Sequence, residues 1–160
     1  MALEEHSDLL DNLIEQTQDS ARGFLSAQSD VTDADLSAKF DELTARRAEL
    51  VDELQRAARR VGSDSDADEE SSPLEALERG WLSIKAAMTI EHDKTDALVL
   101  ANRVENEDEV LEAYDEALQQ SLPPELQQLL RRQRQQIEET REELAQLEEA
   151  VRASSDYEQR

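Results

Sequence analysis

Cysteine is absent, and the 160 residues include only three glycines, three prolines, two histidines and one tryptophan. Without cysteine there is no disulfide, no thiolate metal ligand and no cysteine nucleophile. So few glycines and prolines leave little material for turns, and an aromatic content of 3% leaves little for a sheet. No apolar run approaches the roughly 18 residues that a membrane span needs, and no signal-peptide pattern opens the sequence. A glycine-rich phosphate loop, zinc-ligand spacing and a serine–histidine pair with a third member are also missing. These absences point to a cytoplasmic protein that is not an enzyme and carries no cofactor.

What is present is charge of one sign. Forty acidic residues face 17 basic ones, a formal net charge of -23. Such a surface repels phosphate backbones and anionic lipid, so nucleic acid and membranes are excluded as partners. It collects cations weakly and without specificity. Only Lys39, Lys85 and Lys94 are lysine. Acid-rich, lysine-poor usage is similar to that of proteins from salt-loving organisms, whose carboxylates keep the surface hydrated. A plainly acidic soluble protein is the alternative.

Abundant Ala, Leu, Glu, Gln and Arg favour helix. From Leu3 to about Gln28, Leu3, His6, Leu10, Leu13, Thr17, Ala21, Phe24 and Leu25 share one face, with Asp8, Asp11, Glu15 and Asp19 opposite. Ser29–Asp33 is a tight connection. A second helix follows with Leu36, Phe40, Leu43, Arg47, Leu50, Val51, Leu54, Ala58 and Val61 inward, and Gly62 closes it. A third begins at Asp93 and turns Ala97, Leu100, Ala101, Val104, Glu107, Asp108, Leu111, Tyr114 and Leu118 inward. Leu122-Pro123-Pro124 separates it from the last, whose inner face is Leu126, Leu129, Leu130, Gln133, Ile137, Thr140, Leu144, Leu147 and Val151.

Between the halves lie an acidic linker, residues 63–72, and a short amphipathic helix. Ser72-Pro73-Leu74-Glu75 is a helix start, and Leu74, Leu77, Trp81, Ile84 and Met88 form its apolar stripe. Trp81 is either the anchor of this helix on the bundle or a contact for a partner chain. Short first and last connections make two antiparallel hairpins. The long middle one makes the second and third long helices parallel, the ferritin-like arrangement. The expected fold is therefore all-α: one four-helix-bundle domain, residues 1–153, with a short fifth helix in the crossover and a frayed tail, residues 154–160.

The run LERGWLSIKAAMT resembles the arginine-glycine-tryptophan segment of a family of bacterial ferritin-like four-helix bundles of unknown function. Leu9–Asp19, Glu53-Leu54-Gln55, Glu107-Asp108 and Leu111-Glu112-Ala113-Tyr114 extend the resemblance over nearly the whole chain. It implies the fold and, loosely, a part in stress physiology. Relatives carry a histidine near the position of Arg141, which is missing here.

A di-iron or di-manganese carboxylate site needs Glu-x-x-His on two helices and a further Glu on each of the other two. Leu3 and Thr89 stand three positions before His6 and His92, so neither histidine fits. The acidic linker lacks the central glycine of a calcium loop. No metal ligand is assigned. At 1.5 Å per residue, Thr17, Arg47, Glu107, Asp108, Gln133, Gln136 and Thr140 instead fall at one mid-bundle height. There Arg47 either pairs with Glu107 or Asp108 where metal charge would otherwise sit, or snorkels to water. The expected activity is contact with a protein partner or a second copy of the chain. The alternative is a metalloprotein with a degenerate carboxylate site.

Overall fold

The computed structural model describes residues 2–60 and 95–158, with side chains described for 6–60 and 95–154. Within them the chain forms four helices and no strand: α1 (Ala2–Asp30), α2 (Ala34–Arg60), α3 (Asp96–Leu118) and α4 (Pro124–Glu158). The segment expected to form the crossover helix, Trp81, His92 and the acidic linker lie outside the described residues.

Local chemistry sets the ends. Asp33 caps α2, its Oδ1 accepting from the backbone N–H of Asp35 (2.8 Å) and Leu36 (3.0 Å). Arg59 and Arg60 stand in its last turn, against the negative end of the helix dipole. The third helix starts later than the sequence suggests. Thr95 has extended backbone (φ -72°, ψ 153°) and its side chain accepts from Leu98 N–H, so it is the cap and the helix begins at Asp96. The last helix opens with Pro124 at its first position, where a missing N–H costs nothing. It runs on to Glu158.

Antiparallel α1 and α2 pack closely, as do α3 and α4, and α1 also packs against α3. Ala21 and Ala48 face each other where α1 and α2 meet, small enough to bring the helices together. Two polar latches fix the ends. Asp96, at the start of α3, accepts from Thr32 N–H (2.8 Å), Thr32 Oγ1 (3.0 Å) and Asp33 N–H (3.2 Å) in the α1–α2 connection. At the other end His6 Nε2 donates to the carbonyl of Ser121 (2.9 Å), between α3 and α4. It follows that α2 and α3 run in the same direction, with Arg60 and Thr95 at opposite ends of the bundle.

The apolar core comes in two parts. Leu10, Leu13, Leu54, Tyr114, Leu130 and Ile137 belong to the part near the His6 latch. Phe24, Phe40, Leu43, Leu100 and Leu144 belong to the part near the Asp96 latch. Between the two parts lies a layer of buried polar side chains.

Candidate functional site

Arg47 stands at the midpoint of α2, on the same stripe as Leu43, Leu50 and Leu54. A guanidinium there leaves water: Arg47 is 3% exposed and Glu107, at the midpoint of α3, is 0% exposed. The two form a fork-to-fork pair, Nη1 to Oε1 at 2.9 Å and Nη2 to Oε2 at 2.6 Å. Ser20 of α1 closes a triangle, accepting from Arg47 Nη1 (2.8 Å) and donating to Glu107 Oε1 (3.3 Å). The guanidinium carbon also lies 5.2 Å from the ring centre of Phe24, which stacks on Phe40 at 6.2 Å. Paired hydrogen bonds, a hydroxyl and an aromatic face together replace the hydration that both charges lose.

A second network crosses the same layer. Tyr114 OH donates to Gln133 Oε1 (2.7 Å), and Gln133 Nε2 donates to the carbonyl of Leu50 (3.2 Å), so α3 and α2 are joined through α4. Burial pushes the Tyr114 phenol up to about 12, opposed in part by a hydrogen bond with Thr17. Thr17 itself donates to the carbonyl of Leu13 (2.6 Å), and Thr140 to that of Gln136 (3.1 Å).

The layer thus holds Thr17, Arg47, Glu107, Gln133 and Thr140, all buried. Two residues expected in it lie elsewhere. Asp108 is exposed and pairs with Arg141 (2.8 Å) across the α3–α4 surface. It follows Glu107 by 100° of helix rotation, so when Glu107 points to the centre its neighbour turns to the edge. Gln136 is also exposed. Gln133, Ile137, Thr140 and Leu144 make the inward stripe of α4, and Gln136 lies beside it, toward α2. Trp81 is outside the described residues.

The sequence reading missed Ser20, although it lies three residues after Thr17 and four before Phe24, on the inward face. It also missed Arg103, one turn before Glu107. Its guanidinium lies against Gly23, where an added Cβ would meet Arg103 Nη1 at 1.8 Å. Burial lowers its pKa, with Glu107 acting the other way. Among the described residues no three acidic or histidine side chains are grouped to hold a metal ion. None of the described helices is long and apolar enough to cross a membrane.

Fold and site together define an all-helical four-helix bundle with an ion pair at its centre. The chain belongs to the family described as a domain of unknown function, DUF2383, whose match covers residues 5–120. That stretch includes Ser20, Arg47 and Glu107 and stops short of α4. No curated protein matches the sequence.

Proposed function

We propose that the chain is a non-catalytic bundle of ferritin-like topology, with the Arg47–Glu107 pair in the place of a metal centre, working through contact with a protein partner or a second copy. The observation that carries this reading is the guanidinium at mid-height. A permanent positive charge paired with the central carboxylate engages both of its oxygens, and repels any cation beside it. The common direction of α2 and α3 supports a crossover between Arg60 and Thr95 of the ferritin-like kind. The acidic, cysteine-free sequence supports a site of action in the cytoplasm.

Metal analysis tests this. Protein purified without chelator from cells supplied with iron and manganese should hold far less than one ion per chain. Stoichiometric iron or manganese, retained through dialysis, would favour the metalloprotein reading instead.

A further inference from the structure

The helices α2 and α4 stand apart, bridged by long side chains rather than close backbone packing. Gln133 reaches the Leu50 carbonyl, Arg132 pairs with Glu53, and Lys39 pairs with Glu143. Between these bridges lies a groove of about 480 Å³ that has Arg47 among its lining residues. That volume falls within the roughly 300–1,000 Å³ of small-molecule sites.

The chemistry of the groove is two-sided. Arg47 spends both Nη1 hydrogens and one Nη2 hydrogen on Ser20 and Glu107. Its Nε–H and the second Nη2 hydrogen have no acceptor among the described residues. The Gln136 side-chain amide, in the wall, is likewise without a hydrogen bond there, and Thr140 adds a hydroxyl. The outer charges Arg46, Arg132, Glu53 and Glu143 are all paired. Glu49 and Glu139 line the groove as exposed carboxylates with no cationic partner among the described residues.

We propose that this groove binds a small zwitterion of amino-acid size. Its carboxylate meets the spare N–H groups of Arg47 and the Gln136 amide, and its ammonium group meets Glu49 and Glu139. A simple anion would satisfy the floor but face two unpaired carboxylates on a chain of net charge -23. A simple cation would suit the rim but face a buried guanidinium. A molecule carrying both charges meets each end with its opposite. The inference is independent of the protein-contact reading, since it needs no second chain.

The test is an amide NMR titration with 4-aminobutyrate, and with butyrate and butylamine as single-charge probes. The zwitterion should give saturable shifts at α2 and α4 residues of the groove, with millimolar affinity about tenfold or more above either single-charge probe. Gln136→Trp fills the groove from an exposed position and should abolish those shifts while leaving the helical circular dichroism unchanged. Glu49→Gln with Glu139→Gln should weaken binding about tenfold. Absence of saturable shifts overturns the proposal. So does butylamine matching the zwitterion, or undiminished binding by folded Gln136→Trp.

Discussion

Arg47 and Glu107 join two helices that lie across the bundle from one another, and they do so with two hydrogen bonds of 2.9 and 2.6 Å. The pair sits between two apolar clusters and is almost wholly shielded from bulk water, Arg47 at 3% exposure and Glu107 at 0%. Ser20 supplies the third helix and Phe24 the aromatic face. This is a costly arrangement in isolation, and its parts are interdependent.

Tyr114 gives a second test of the polar layer. Tyr114→Phe removes the donor to Gln133 Oε1 and leaves that oxygen buried, a loss of about 1–2 kcal/mol by urea denaturation. The phenol also makes stability depend on pH. Its acid form is favoured in the folded state, whose value is about 12 against the ordinary 10. The stabilising contribution is therefore complete below pH 10 and is lost as pH rises from 10 through 12. Wild type should lose stability across that window more steeply than Tyr114→Phe, and equal slopes would contradict the buried phenol.

The Asp96 latch predicts a local effect. Three donors from the α1–α2 connection converge on one carboxylate. Asp96→Ala should cost about 1–2 kcal/mol. Hydrogen exchange should quicken first at the amides of Thr32 and Asp33, ahead of amides in the helix interiors. Unchanged exchange at those two amides would show the latch to be open in solution.

The surface predicts a salt effect. Carboxylate repulsion on a chain of net charge -23 is screened over about 10 Å at 0.1 M salt and about 3 Å at 1 M. The melting temperature should rise steadily with added potassium chloride. A flat or falling curve would show that the paired surface arginines, such as Arg134 with Asp115, already cancel the repulsion locally.

Much of this was readable from spacing alone, and the failures have physical causes. On α2 every inward residue named from the sequence and described by the structure is buried, because its apolar stripe is narrow and its opposite face is charged. The stripe expected on α3 is correct at Leu100, Glu107 and Tyr114, which are buried, but is turned to one side of the true inner face elsewhere. Leu98, Val99, Leu100 and Ala101 run consecutively, so periodicity cannot choose a face, and Val99, Val110, Ala113 and Ala117 prove buried while Val104 and Leu111 are half-buried. Height along the bundle grouped Arg47 with Glu107 but could not separate Glu107 from Asp108, which differ in direction rather than height. Ser20 escaped notice because a small hydroxyl gives no hydrophobic signal. The start of α3 was misplaced because several capping residues stand close together before Asp96.

The most direct test of the central ion pair is a double-mutant cycle on Arg47 and Glu107, read as urea-unfolding free energy. Arg47→Met alone strands a buried carboxylate, and Glu107→Leu alone strands a buried guanidinium, so each should cost about 3–5 kcal/mol. Together they remove both charges, and the double variant should unfold within about 1 kcal/mol of wild type. Single and double costs that simply add would contradict the account, because they would mean that the two side chains do not meet in solution.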